Sequence, residues 1–521
     1  MNQFVTVQYL MQSLNRQEIK TLKRFLKLFE EGSSSDGLKT LKLANILLKD
    51  KEAKKTESDL IRALYKKVNL KNQKTFNKLI ARFKDKVIEC ISLDVNTQRR
   101  VQYSNAEIAI SSIKKSLLHF HLLSERMPEQ ELHRLIDKCI HSCRHYEYYS
   151  GLSQALIYKL QLLSKIESSA EAERIFSEFE FCSRCLNSLT KARQLRFELG
   201  QLPYKSSTSS EDQYLKAIEE TEHEYRFTRS QQIYYLHQCI KVLHLQFKRN
   251  YFKAHLLALK LTDHCKEHKE MMPVAFRSES QLMLAESYIH LGKMKEALNI
   301  LVRLDVHNDH LMRLKQLELF FLASVYLGNQ KDAESNLIAL KSLASYAQHY
   351  IPFVSFDYLQ AIMLMMKEQF HDAFIALQSP SENLSNDPEQ EIIVRLMMII
   401  NLISLNKLDL ASSQLENLNN YIDRQGLAQN ISIRYYRLVR IFDELSNIGY
   451  DFGSFALTHK VEIDQLIYEG EQIIWPLHKS EIVHFGLWLK SKIQRDNYDI
   501  LLSDLLKKQE EIVVQNQGLS L

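Results

Sequence analysis

The stretch Leu284–Leu301 reads LAESYIHLGKMKEALNIL, two short amphipathic segments joined at a Gly-Lys turn. Its small Ala297 lies five residues after Gly292. The same spacing recurs at four other positions, where Ala254, Ala333, Ala373 and Ala411 follow Arg249, Gly328, Glu368 and Asn406. The alanines are separated by 43, 36, 40 and 38 residues, and such periods are typical of helical-hairpin arrays. The pattern predicts an α-solenoid, a fold that usually binds other molecules along an extended surface.

The residue types at these positions have physical reasons. An alanine at the crossing of two helices lets their backbones approach closely, and four residues later comes a second packing position: Ala258, Leu301, Leu337, Leu377 and Leu415. The turn favours Gly or Asn because its backbone is left-handed. Gly292, Gly328 and Asn406 fit this preference, whereas Arg249 and Glu368 do not.

Composition indicates an all-α protein. The 521 residues include only 12 Gly and 7 Pro, far below the roughly 12% that the two residues reach together in average proteins. A β-rich chain needs such turn residues every 8–12 positions or so. The longest apolar stretch, Leu396–Leu405, is too short for a membrane span, which needs about 20 residues. Seven cysteines and no secretory signal predict free thiols and a cytoplasmic location.

The stretch around Gly292 resembles a tetratricopeptide repeat, whose key positions it matches at Leu284, Ala285, Tyr288, Gly292, Ala297 and Leu301. The unit around Gly328 has Ser324 where the family usually has Tyr, and no unit has the family's closing proline in place. The resemblance implies a right-handed superhelix whose first helices line a concave, peptide-binding groove. It places Gln246, Glu286, His290, Glu318, Tyr326, Tyr358 and Met366 near that groove. The carboxylate-binding Lys/Asn clamp of some members is absent, since its positions hold Leu282 and Glu286.

Loop and linker signals divide the chain into four segments. They are a basic helical domain over 1–98, degenerate hairpins over 105–200, the repeats over 213–425 and C-terminal helices over 430–508. Within the first, Asn15-x-x-Glu18 and Thr56-x-x-Asp59 predict capped helix starts. A further helix is predicted to pack through Phe76, Leu79, Ile80, Phe83, Val87 and Ile91.

Charge distinguishes the first hundred residues, which hold 22 Lys and Arg against 11 Asp and Glu. The candidates for a basic patch are Lys66, Lys67, Lys71, Lys74, Lys78, Arg82, Lys84 and Lys86. Such a patch is typical of nucleic-acid binding or of docking to an acidic partner. An ordinary solvated surface is the alternative, because Lys outnumbers Arg and base readout prefers Arg.

Metal-binding spacings occur twice among the cysteines. Cys182-x-x-Cys185 and Cys139-x-x-x-Cys143, with His141 and His145 nearby, have thiolate spacings found in zinc sites. They lie in helical contexts without a knuckle turn, where Cys more often packs as a small apolar residue. A further pair, His264 and His268, shares one helix face. No phosphate-binding glycine loop, HExxH or GxSxG motif is present in the sequence.

These observations favour a non-enzymatic scaffold or adaptor that binds a protein or peptide partner through the groove and requires no cofactor. The alternative is a regulator, in which a nucleic-acid-binding N-terminal domain is controlled by a ligand on the repeats. The partner's identity and the oligomeric state do not follow from the sequence.

Overall fold

The structure is a computed structural model of the chain. It describes residues 3–14, 16–30, 36–49, 56–93, 105–163, 169–201, 210–248, 250–306, 309–344, 356–378, 388–426, 433–469, 472–473 and 481–518. These residues divide into two compact units, Met1–Leu123 and Ser124–Leu521. Nearly all of them are helical, as the composition predicts, and no described helix has the length and apolarity to cross a bilayer.

The described residues of the first unit form six helices. They are α1 (Gln3–Ser13), α2 (Arg16–Glu30), α3 (Asp36–Lys49), α4 (Glu57–Tyr65), α5 (Leu70–Leu93) and α6 (Asn105–Leu123). The core gathers around α5, against which α1, α2 and α4 pack. Five of the predicted α5 packing residues, Phe76, Leu79, Ile80, Phe83 and Val87, are buried. The side chain of Ile91 lies outside the described residues. The compact unit also takes in α6, which the sequence groups with the following segment.

The predicted cap of α4 is confirmed. The Asp59 amide donates to Thr56 Oγ1 at 3.3 Å, and the Thr56 amide donates to Asp59 Oδ2 at 3.0 Å, which completes a capping box. The other predicted cap cannot be compared, because Asn15 lies outside the described residues.

The second unit contains eighteen described helices and one short ladder. The helices are α7 (Glu129–His145), α8 (Tyr149–Leu163), α9 (Ser169–Gln201), α10 (Ser210–Thr228), α11 (Gln231–Phe247), α12 (Tyr251–Glu267), α13 (Val274–His290), α14 (Met294–Arg303), α15 (His310–Tyr326), α16 (Gln330–Ala344), α17 (Phe356–Met366), α18 (Phe370–Leu377), α19 (Pro388–Ser404), α20 (Leu408–Arg424), α21 (Ile433–Asn447), α22 (Phe452–Ile467), α23 (Phe485–Gln494) and α24 (Tyr498–Gly518). Two-residue strands, β1 (Tyr468–Glu469) and β2 (Gln472–Ile473), pair antiparallel. Each helix packs mainly on its neighbours in sequence.

One turn geometry recurs in all five hairpins that the sequence predicts, α11–α12 through α19–α20. In each, an amide donates to the carbonyl five residues earlier at 2.8–2.9 Å, at Asn250, Lys293, Asn329, Gln369 and Lys407. This hydrogen bond closes a Schellman-type helix end, which needs a left-handed residue. Gly292, Gly328 and Asn406 have φ of +74°, +67° and +57°, and Glu368 also adopts +57° despite its side chain. Arg249 lies outside the described residues.

The predicted crossing positions are fully buried. Ala254, Ala297, Ala333, Ala373 and Ala411 each have 0% exposure, and all five following packing residues are buried as well. The apolar core then runs without a break from Leu282 to Leu506. The last described helix lies beside the α13–α14 turn, where Leu506 and Gln509 approach Gly292.

Candidate functional site

The residues assigned to the predicted groove lie on four first helices, α11, α13, α15 and α17. Gln246, His290 and Met366 are half-buried. The other four are buried more deeply, with exposures of 8% for Glu286, 7% for Glu318, 7% for Tyr326 and 1% for Tyr358. We call this surface the inner row. It is more enclosed than a groove open to an external peptide. Its side chains are charged in one part and aromatic in others.

Charges occupy one part of the inner row. Lys315 of α15 lies 3.2 Å from a carboxylate oxygen of Glu286 and 3.6 Å from one of Glu318. The three groups are held between α13 and α15 with little contact with solvent.

The two tyrosines are covered by the C-terminal segment, residues 481–509. The Ile482 amide hydrogen-bonds to the Tyr358 hydroxyl. Tyr326 lies near the side chains of Tyr498 and Glu481, and both contribute to the rise in its pKa. Burial raises the pKa of both phenols, so both hydroxyls stay neutral and act only as hydrogen-bonding groups. The sequence places these tyrosines at a ligand-facing surface, and in the structure the chain itself occupies that position.

A buried ion pair anchors the start of this segment. Arg434 of α21 donates to both oxygens of Glu481, at 3.0 Å and 2.5 Å, and to the Leu466 carbonyl at 2.6 Å. Glu481 is 0% exposed. Burial raises the pKa of its carboxyl, but the Arg434 guanidinium outweighs burial, so the pKa lies below the ordinary value and the group is ionised.

Apolar contacts continue along both C-terminal helices. Trp488 of α23 stacks against Phe442 of α21, with ring centroids 6.0 Å apart, and meets Phe452 edge-on at 6.1 Å. Phe485 and Leu489 are fully buried beside it. The ion pair of Glu481 and the apolar contacts of Trp488 thus fix the segment on α21 and α22.

The far end of the segment reaches the turn between α13 and α14. A methyl group added at Gly292 would lie 3.1 Å from the Gln509 side chain and 3.3 Å from that of Leu506. Glycine is needed here for two reasons, its left-handed φ and its contact with α24.

Towards the N-terminal end, the inner row is built from aromatic and histidine pairs. His290 stacks on Tyr251 at 4.5 Å and 14°, and His255 contacts Tyr288 at 4.5 Å. His255 Nδ1 lies 2.9 Å from Ser287 Oγ, and His237 Nδ1 lies 2.9 Å from Thr221 Oγ1. Burial lowers the pKa of both His237 and His255 to about 4, which keeps these rings neutral.

The predicted His264–His268 pair is close in space, with ring centroids 4.5 Å apart. His264 also contacts Tyr234 at 4.6 Å. Burial, followed by the influence of His268, lowers the pKa of His264 to about 4. Among the described residues, no third metal-ligating group joins the pair.

The four cysteines considered for zinc lie at the packed interface of α7, α8 and α9. Cys139, Cys143, Cys182 and Cys185 are buried thiols that form no disulfide. Cys182 Sγ donates to the Tyr149 carbonyl at 3.1 Å. Burial raises the pKa of Cys143 to about 12 and the pKa values of Cys182 and Cys185 to about 11, so these thiols hold their protons. Within the described chain they do not form a set of three ligand atoms close enough for one ion.

The basic candidates of the first unit lie mostly on one face of α5. Lys71, Lys74, Lys78 and Arg82, spaced by three or four residues, are all exposed and make no ion pair in the described structure. We call these four residues the basic stripe, which extends about 16 Å along the helix. Lys66 and Lys67 are exposed in the preceding turn, whereas Lys84, on another face, and Lys86, four residues after Arg82, are half-buried.

One cluster was missed in the sequence. Glu444 of α21 meets His459 and Glu462 of α22, and one ligand atom from each lies within 4.8 Å of the others. The His459-x-x-Glu462 spacing was its only local signal, since Glu444 joins the cluster through the α21–α22 hairpin.

Comparison with protein-family models, with curated proteins and with solved structures finds no match to this chain.

Proposed function

We propose that the protein is a non-enzymatic, cytoplasmic scaffold whose inner row binds a helical segment of a partner protein. The observation that supports this is the C-terminal segment, because its Ile482 amide and its Tyr498 already lie beside Tyr358 and Tyr326 of the first helices. Helix-in-groove recognition typically uses an apolar helix face with a few polar anchors. Within the segment, Glu481 is a polar anchor on Arg434 of α21, and Trp488 packs on α21 and α22 beside the buried Phe485 and Leu489.

The proposal includes a solenoid of hairpins similar to tetratricopeptide repeats. The recurring turn hydrogen bond and the buried alanines support a repeated unit. Stacked repeats present an extended surface lined by their first helices. Under this proposal, a partner helix competes with the C-terminal segment for part of the inner row.

Affinity capture with three full-length baits tests this function. Glu481→Lys places a cation against Arg434 and loosens the C-terminal segment, so it should capture more partner than the wild type. The matched control, Glu481→Lys combined with Arg434→Glu, restores an ion pair of reversed sign and should return capture to the wild-type level. A synthetic peptide of residues 481–509 should release the captured partner. Equal capture by all three baits, with no release by the peptide, would place partner binding outside the inner row.

The basic stripe favours a second candidate function, the binding of a polyanion such as nucleic acid by the first unit. Four exposed, uncompensated cations on one helix face form an electrostatic footprint of the kind that phosphate backbones neutralise. A gel shift of the full chain with duplex DNA and with RNA at about 50 mM salt tests it, because a phosphate-driven interaction is strong at low salt. Absence of a shift under these conditions would eliminate this candidate.

A further inference from the structure

The α21–α22 hairpin carries a ligand set that the proposed scaffold function does not use. His459 Nε2 lies 2.5 Å from Glu444 Oε2, and Glu462 is one helical turn from His459 on the same face of α22. All three side chains are half-buried. A histidine with two carboxylates is a ligand set suited to a first-row divalent cation.

The surroundings of His459 fix its ring. Phe455, itself 1% exposed, stacks on the imidazole at 4.2 Å with planes 7° apart. The Thr458 hydroxyl donates to the Phe455 carbonyl at 3.2 Å, so its oxygen is available to accept from His459 Nδ1, 2.6 Å away. A proton on Nδ1 leaves the Nε2 lone pair directed at Glu444. Metal-ligating histidines are commonly oriented by such a hydrogen bond on the other ring nitrogen.

The glutamates are oriented as well. Arg440 contacts the Oε1 atoms, with Nη2 2.6 Å from Glu462 and Nε 3.7 Å from Glu444. The Oε2 atoms of both glutamates are shielded from solvent; that of Glu462 accepts no hydrogen bond in the described structure, whereas that of Glu444 faces His459 Nε2. The 2.5 Å separation of His459 Nε2 and Glu444 Oε2 requires either a proton or a metal ion between the two atoms.

We propose that Glu444, His459 and Glu462 form a binding site for a Zn²⁺-like divalent cation, with Thr458 and Arg440 orienting the ligands. Three protein ligands leave a fourth tetrahedral position for water. Ligand atoms about 2.0–2.2 Å from the ion lie roughly 3.3 Å from one another, so His459 and Glu444 must separate slightly on binding. Their partial exposure gives them room for this movement.

Calorimetric titration of tag-free, chelator-treated full-length protein with ZnCl₂ tests the site. We expect one ion per chain, and we expect His459→Ala and Glu462→Gln to abolish it. Glu462→Gln keeps the side chain's shape, which limits any folding defect. Thr458→Val should weaken Zn²⁺ about 10–100-fold, because it removes only the orienting hydrogen bond. The control, His268→Ala, changes the other histidine pair and should leave binding unchanged.

Cobalt substitution identifies the ligand atoms independently. Bound Co²⁺ should show visible bands typical of nitrogen and oxygen ligands, without the intense ultraviolet band of a cobalt–thiolate bond. No binding by the wild type would mean that a proton alone joins His459 to Glu444, and the proposal would fail. It would equally fail if a thiolate band appeared or if His268→Ala abolished binding.

Discussion

Arg434 and Glu481 are joined by a bidentate ion pair across 47 positions of sequence, with side-chain exposures of only 6% and 0%. Removing one member leaves the other charge buried and unpaired, which typically lowers the free energy of unfolding by about 3–5 kcal/mol. We therefore expect Arg434→Met to lower the unfolding midpoint sharply and to expose the C-terminal segment to proteases. Urea unfolding and limited proteolysis measure the two effects.

The double variant Arg434→Met/Glu481→Leu is the informative control. It removes both charges and replaces them with apolar groups of similar size, an exchange that is often close to neutral. It should regain most of the stability that the single variant loses. If the single and double variants were equally destabilised, packing of the Arg434 side chain, and not its charge, would hold the segment.

Two glycines in equivalent turns separate backbone strain from packing. Both Gly292 and Gly328 have positive φ, so alanine costs about 1–2 kcal/mol at either position. Only at Gly292 does the new methyl group also meet another element, Gln509 and Leu506 of α24, whereas nothing lies within 4 Å at Gly328. Gly292→Ala should therefore lower the thermal unfolding midpoint more than Gly328→Ala. Equal losses would show that α24 does not press on this turn.

The sequence could predict the two turns themselves, but not the contact of α24 with one of them. Local signals, such as the turn residues and Ala297, predicted the hairpins because a tight turn and a close helix crossing each restrict the residue type. The return of the C-terminal segment has no such signal, since Glu481 looks like any surface acid until Arg434 is placed opposite it. The same limit explains why Tyr326 and Tyr358 were assigned to an open groove.

The buried histidines predict a loss of stability in acid. The pKa values of His237 and His255 are about 4 in the folded protein, below the ordinary 6.5. Between these values the unfolded chain binds more protons, so stability is complete above about pH 6.5 and falls as the pH decreases towards 4. Each ring contributes up to about 3 kcal/mol to this loss.

A conservative substitution isolates one of these rings. His255→Gln keeps a polar group near Ser287 Oγ but cannot take up a proton. We expect its thermal unfolding midpoint to fall less than that of the wild type between pH 7 and pH 4.5. His141→Gln, at an exposed position on α7, controls for the general loss of a histidine. If the unfolding midpoints of the wild type and His255→Gln fell equally with pH, protonation of His255 would not be a source of the acid instability.

The basic stripe makes a quantitative prediction for polyanion binding. If its four cations each neutralise one phosphate, changing Lys71, Lys74, Lys78 and Arg82 to Gln should reduce the salt dependence of log K by about 3–4 for duplex DNA. Filter binding from about 50 to 200 mM salt measures the slope. The matched control changes four exposed lysines of the second unit, Lys253, Lys295, Lys331 and Lys407, and removes the same charge elsewhere. If the site is on α5, only the stripe variant should change the slope of log K against log salt concentration. Equal reductions in both variants would mean that net charge, and not the stripe, drives binding.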